Sequence, residues 1–258
     1  DGEIQEGQVW EAMMFAAHYK LDNFCAIVDN NGLQIDGPID QVMSPYPIPE
    51  KLKAFGFSVI EIDGHDIAQI RAALDKACAE TERPTLIIGR TVMGKGARTA
   101  EGESFEHKVS THGQPLTAAG ADIAATIRNL GGNPDDPFAI FDESREVYDQ
   151  RRRELTEWAA SRAEIERAWR AENPELAAKL DRFFGGKLPD IDYGKIEMKN
   201  DIATRAASAT MLGVYAEQVE NMIVASADLS NSDKTDGCLK KTKALAKGDL
   251  SGNSFQAA

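Results

Sequence analysis

A chain of 258 residues with a formal net charge of −13 is a poor partner for nucleic acid or an anionic membrane, since both demand clustered Lys and Arg. Its 42% hydrophobic content supplies a sizeable core, and its length suits one large domain or two ordinary ones. No apolar run approaches the ~20 residues that span a bilayer, the first residues carry no basic signal-peptide region, and Cys25, Cys78 and Cys238 lie far apart with no CxxC pair. A reduced, cytoplasmic protein with neither zinc site nor disulfide framework is expected. Any anionic ligand must then be held by backbone N–H groups, a metal or single basic residues.

The chain opens with "DGEIQEGQVWEAMMFAAHYKL", where Asp1, Glu3 and Glu6 crowd the first turn of a predicted helix whose Val9, Met13, Ala16 and Ala17 share a face. "FCAIVD" reads as a strand closed by the turn "NNG". Pro49 suits a helix start, and "EKLKAFG" ends in a glycine suited to a C-cap. "FSVIEID" is a strand and "GHD" a turn. "DIAQIRAALDKACAE" is an amphipathic helix with Asp66 as N-cap and Ile67, Ile70, Leu74 and Ala77 facing inward, and "TLIIGRTV" is a further strand. This rhythm predicts an α/β fold, a parallel sheet with helices on both faces, with ligands bound at the carboxyl ends of the strands.

From about Ala119 the character changes. "ADIAATIRNLGG" is a helix with a glycine stop, and "SREVYDQRRRELTEWAASRAEIERAWRAENPELAAKLDRFF" is charged and helix-favouring, broken at Asn173-Pro174. A solvated helical connector is the expectation for it. "GGKLPDIDYGKIEMKN" reads as a linker. A new helix follows, with Thr204 as a candidate N-cap, then the strand "NMIVASADLS" and a polar tail. One helix and one strand cannot close a domain, so this last unit should present an unpaired sheet edge.

Asp1-Gly2 and "DNNG" stand about thirty residues apart with a helix and a strand between them, a spacing that brings both turns to neighbouring strand ends. A carboxylate, an amide oxygen and a backbone carbonyl are hard donors that suit Mg²⁺ or Ca²⁺. Such a cation would let an acidic protein hold an anionic cofactor. By spacing alone, two ordinary Asp-Gly and Asn-Gly turns are the better reading. His18 and His107 carry no signal, His65 in "DGHD" reads as structural, and Lys95 in "MGKG" as a solvated loop residue.

The pairing of Asp1-Gly2 with the later Asn-Asn resembles the thiamine-diphosphate signature. The stretch "DGEIQEGQVWEAMMFAAHYKLDNFCAIVDNNGLQIDG", and then "VIEIDGHD", "THGQPL", "ATRAAS" and "SADLSNSDKTDG" in that order, resemble transketolases. The resemblance implies thiamine diphosphate with Mg²⁺ (or Ca²⁺), held by Asp1, Asn31 and the carbonyl of Leu33, with Gly2 leaving room for the diphosphate. It places Glu6 in a carboxylate network across a homodimer interface, and His112 of "THGQPL" near diphosphate and substrate as a donor or proton shuttle. Arg205 and Ser232 match a pair that grips the sugar phosphate, and Asp228 a residue near the partner subunit's cofactor. The implied reaction moves a two-carbon ketol unit from a ketose phosphate to an aldose phosphate in the pentose phosphate pathway.

The resemblance also divides the chain. Residues 1–125 match the later part of a diphosphate-binding domain, 126–199 a helical linker and 200–258 the start of a pyrimidine-binding domain. Early diphosphate contacts and the glutamate that activates the cofactor fall outside the resembling stretch, so the chain alone is expected to be inactive. A dihydroxyacetone synthase, a 1-deoxyxylulose-5-phosphate synthase and a non-catalytic cofactor-binding or assembly module are the alternatives.

Overall fold

A computed structural model describes residues 1–257 and divides them into two compact units, Asp1–Ile140 and the residues from Phe141 onward. The first unit opens with a 3-10 turn, Gly2–Gln5, and helix α1, Gly7–His18. Strand β1, Cys25–Asn30, follows. The two-residue strands β2 (Leu33–Gln34) and β3 (Gly37–Pro38) pair as a small hairpin leading into α2, Ile39–Val42. Then come α3 (Ile48–Phe55), β4 (Ser58–Asp63), α4 (Ile67–Ala79) and β5 (Thr85–Arg90). A long loop carries the chain to α5 (Leu116–Ala119) and α6 (Ile123–Asn129).

The main sheet has the order β1-β5-β4, parallel throughout, with Ile27 and Ile60 flanking Ile87 in register. From β1 the chain skips outward to β4 through α3, then steps back to β5 through α4. Right-handed crossovers in opposite directions put their helices on opposite faces. On the α1 and α3 face Ile4, Ala16, Val28, Ile48, Leu52, Phe57, Leu86 and Ile88 form one core. Helix α3 ends as its sequence suggests. Gly56 adopts φ 109°, and the N–H groups of Gly56 and Phe57 return to the Leu52 carbonyl at 3.2 and 3.0 Å.

The opposite face departs from expectation. Ala73 is the buried residue of α4, while Ile67 and Leu74 are 68% and 41% exposed and Ile70 and Ala77 half-buried. A single helix cannot cover three strands, and Ile27 on β1 is left 67% exposed beside it. The acidic opening also differs. Glu3 lies in the 3-10 turn and Glu6 is the residue preceding α1, so the three carboxylates do not share one helical turn.

In the second unit α7 (Asp142–Glu172) and α8 (Pro174–Phe184) meet at Asn173-Pro174. No residue of α7 is buried, and its Tyr148, Leu155, Trp158, Ile165 and Trp169 form an exposed apolar stripe within the charged surface. Helix α9 (Thr204–Gln218) begins at Thr204 itself, with Ala203 as its cap and no side-chain capping bond. Strand β6 (Val224–Ala227) is followed by α10 (Asp236–Leu239), and β7 (Ser254–Ala257) pairs parallel to β6. The tail therefore supplies a second strand. Four residues are too short to show the alternation by which a strand is read from sequence.

Asp66 caps α4 as expected, its Oδ1 accepting from the N–H groups of Ala68 and Gln69 at 2.9 and 3.2 Å. The Gln69 N–H bond is the main cause of a carboxyl held below its ordinary value. A lowered folded value stabilises the fold above the unfolded carboxyl value of about 4, and that contribution disappears as pH falls through the lower folded one. Asp66→Asn keeps the cap without the titration. Its melting temperature should therefore fall less than that of the parent between about pH 5 and about pH 3 in thermal melts. Equal falls would contradict this assignment.

Candidate functional site

The carboxyl ends of β1, β4 and β5 converge on one rim. Asp1 reaches it first. Its backbone nitrogen donates to the Asp29 carbonyl at 2.8 Å, at the end of β1. Its carboxylate is 8% exposed as a residue, and Oδ2 accepts from Gly32 N–H at 2.8 Å and from the Tyr46 hydroxyl at 3.2 Å. Oδ1 is buried and has no hydrogen-bond partner among the described residues. An orphaned buried carboxylate oxygen is costly unless something outside the chain satisfies it.

The "DNNG" turn is shaped to meet Asp1. Gly32 adopts φ 75°, a left-handed conformation that glycine takes without strain, and aims its N–H at the carboxylate. Asn31 Oδ1 accepts from Leu33 N–H at 2.9 Å, an Asx turn that fixes both residues. Ile39, buried at the head of α2, closes the loop by donating its N–H to the Gly32 carbonyl at 3.0 Å. Asp29 accepts from Asn31 Nδ2 at 3.4 Å and from the Thr91 hydroxyl just beyond β5.

Asp1, Gly2, Glu6, Asn31, Leu33 and His112 all line one cleft of about 460 Å³, together with Glu3, Asp29 and Asp36. Five carboxylates thus face it, and His112 is the one lining side chain able to carry positive charge. His112 follows a 3-10 turn, Val109–Thr111, and its buried Nδ1 also lacks a partner among the described residues. Neither the cleft nor the other described residues hold a cluster of three His, Cys, Asp or Glu side chains with metal-binding geometry. The Asp1 carboxylate, the Asn31 amide oxygen and the Leu33 carbonyl are hard donors at this cleft, a set that suits hard ions better than zinc.

Arg205, Ser232 and Asp228 belong to the second unit. Arg205, in the first turn of α9, donates from Nη1 to the Ser232 carbonyl at 3.4 Å, so the structure brings these two together through the backbone of the loop after β6. In that loop Asp228 adopts φ 54°. The loop is held by Asp233, which accepts from the N–H and hydroxyl of Thr235 at 2.9 and 2.8 Å and from the Ser226 hydroxyl at 2.9 Å. These bonds, the Thr235 N–H foremost, lower the Asp233 carboxyl from its ordinary value.

The first 189 residues match the family model described as transketolase, thiamine diphosphate binding domain. The chain belongs to the transketolase family. Over 243 residues it is 34% identical to transketolase 2 of Xanthobacter flavus, covering 91% of this chain and 34% of that protein. In structure it is similar to the transketolase of Leishmania mexicana (TM-score 0.88, 26% identity, 99% of this chain and 37% of that one). It is also similar to the Pichia stipitis transketolase in complex with sedoheptulose-7-phosphate (TM-score 0.84, 30% identity, 99% and 38%). The chain thus spans about a third of the length of the relatives it matches. None of its described helices is long and apolar enough to cross a membrane.

Tyr46 is the site residue that sequence reading missed. Its hydroxyl donates to Asn30 Oδ1 at 2.6 Å as well as facing Asp1, and Lys51 of α3 pins its backbone by donating to the carbonyls of Pro45 and Tyr46 at 2.6 and 3.2 Å. Burial, and then Asp40, push the phenol above its ordinary value, so it remains a donor at neutral pH. Nothing local in "SPYPIPE" marks such a role, since the contact spans 45 residues. Tyr46→Phe removes the donor and should cost about 1 kcal/mol in urea unfolding. An unchanged stability would show that Tyr46 does not hold Asp1.

Proposed function

We propose that this chain is the cofactor-binding part of a transketolase, which transfers a two-carbon ketol unit from a ketose phosphate to an aldose phosphate. The observation that carries the reading is the buried, partnerless Oδ1 of Asp1 at the rim of an acidic cleft. Five carboxylates repel a diphosphate, so a divalent cation must come between them. Asp1, Asn31 and the Leu33 carbonyl supply three hard oxygens for Mg²⁺, with Ca²⁺ able to substitute, and leave coordination positions for phosphate oxygens.

Gly2 fits the same reading. A β-carbon there would meet only Gln34 Cβ at 3.7 Å, an ordinary contact, so packing within the chain does not demand a glycine and the open cleft side is what it serves. His112 brings a second partnerless polar atom, suited to a phosphate or substrate oxygen or to moving a proton. Bound thiamine diphosphate supplies the nucleophilic carbon and electron sink that cleavage beside a ketose carbonyl requires.

Arg205 would grip the sugar phosphate through a forked, charge-assisted contact, with the Ser232 hydroxyl beside it. The sugar phosphate named with the Pichia stipitis relative supports this substrate class. Glu6, exposed before α1, suits a carboxylate network with a second subunit, and Asp228 a position near that subunit's cofactor. The reading includes a homodimer, a cytoplasmic setting and the pentose phosphate pathway. It also retains the division into diphosphate-binding residues 1–125, linker 126–199 and pyrimidine-side residues 200–258. The chain alone should not turn over a ketose phosphate.

Calorimetry tests the cofactor site. The 258-residue chain should bind thiamine diphosphate in Mg²⁺ or Ca²⁺ and lose that binding in chelator, and Asp1→Ala should weaken it at least about tenfold. Binding that ignores both the chelator and the substitution would overturn the reading.

A further inference from the structure

At the opposite end of β1 from the candidate cofactor site lies a second cleft of about 460 Å³, lined by Asp22, Asn23, Cys25, Leu74, Ala77, Cys78, Glu80 and Thr81. Cys25 begins β1, and Cys78 sits in the last turn of α4. The two are 53 positions apart in sequence, yet the crossover from β4 to β5 brings that turn of α4 over the start of β1. Both thiols are free and exposed, whereas Cys238 of the second unit is free and buried. Partial burial first, and then the charge of Cys78, raise the Cys25 thiol above its ordinary value.

We propose that Cys25 and Cys78 form a redox-responsive dithiol that closes to an internal disulfide when the glutathione pool becomes oxidised. Cys78 attacks first, because partial burial raises the Cys25 thiol. Its thiolate displaces one glutathione thiolate from glutathione disulfide and forms a mixed disulfide on Cys78. Cys25 then attacks the Cys78 sulfur and releases the second glutathione. Two protein thiols are oxidised by two electrons, one glutathione disulfide is reduced to two thiols, and the two thiol protons pass to the released glutathiones. The last turn of α4 has room to make the approach, because Leu74, Asp75, Lys76 and Ala79 around Cys78 are exposed.

The bond would tie the end of α4 to the start of β1 and leave the cofactor rim chemically untouched. Cys25 and Asn30 are separated by the length of a six-residue strand, roughly 16 Å. Its expected consequence is a more stable first unit, since a cross-link that closes a long loop restricts the unfolded chain. Transient disulfides of this kind are the sort found in reducing compartments.

The test uses the 258-residue chain equilibrated in glutathione buffers of rising oxidation, then acid-quenched, alkylated and mapped by mass spectrometry. The expected product is a linked peptide pair joining Cys25 to Cys78, lighter by two hydrogens, with Cys238 still reduced and a higher melting temperature. Cys25→Ser should instead accumulate glutathione on Cys78. As an oxidant-independent measure, a trivalent arsenical should bind the reduced parent one to one and leave both single-serine variants unbound. Separate glutathione adducts on both cysteines, a disulfide between chains, or arsenical binding that survives either serine substitution would overturn the proposal.

Discussion

The first unit is organised around a single carboxylate that is only half satisfied. Asp1 Oδ2 is clamped by the Gly32 N–H and the Tyr46 hydroxyl, while Oδ1 is buried beside it with no partner among the described residues. Each clamp reports a different layer of the fold. Gly32 is presented by the end of β1 and the small hairpin after it, and Tyr46 by the segment that Lys51 of α3 fixes. These layers in turn rest on the core shared by α1, α3 and the sheet. Trp10 of α1 packs against that core and donates to the Ile4 carbonyl at 2.6 Å, which ties the 3-10 turn carrying the cofactor-side residues to the first helix.

The loops behind the rim are fitted closely enough to keep the clamp in place. A β-carbon on Gly64, just past β4, would come within 2.6 Å of Thr91 Cγ2 and 3.0 Å of the Arg90 carbonyl, so the ends of β4 and β5 touch at that glycine. His65 then accepts the Val92 N–H on Nε2 at 2.8 Å, which makes it a structural bridge between the two loops, as its place in "DGHD" suggests. Glu106 accepts the Gly96 N–H at 2.7 Å, and that bond is the main reason its carboxyl lies below the ordinary value. The site is therefore built on rigid strand ends, with loops stitched together by backbone donors.

Much of this is legible from sequence because it is local. The β1 strand, the Asp66 cap and the Gly56 stop each depend on residues within a turn or two of one another. The meeting of Asp1 with "DNNG" follows from one general rule about parallel strands. Long-range features are not legible in the same way. Tyr46 acts across 45 residues, and the exposure of Ile67 and Leu74 depends on how many strands one helix must cover. Arg205 meets the Ser232 carbonyl across 27 positions, a contact that nothing local in either segment marks. The pairing of β7 with β6 joins four-residue segments whose sequences carry no alternation to read.

Charge explains why the carboxylate matters beyond packing. A chain of net charge −13, with five carboxylates lining the cleft beside Asp1, repels a diphosphate, and the proposed cation would offset that repulsion. The most direct measurement is a crystal structure of the chain grown with thiamine diphosphate and Mn²⁺, the latter replacing Mg²⁺ as an anomalous scatterer. The account predicts an anomalous peak at about 2.2 Å from Asp1 Oδ1, also touching Asn31 Oδ1 and the Leu33 carbonyl. A diphosphate bound with no such peak, or a peak at carboxylates elsewhere in the cleft, would contradict it.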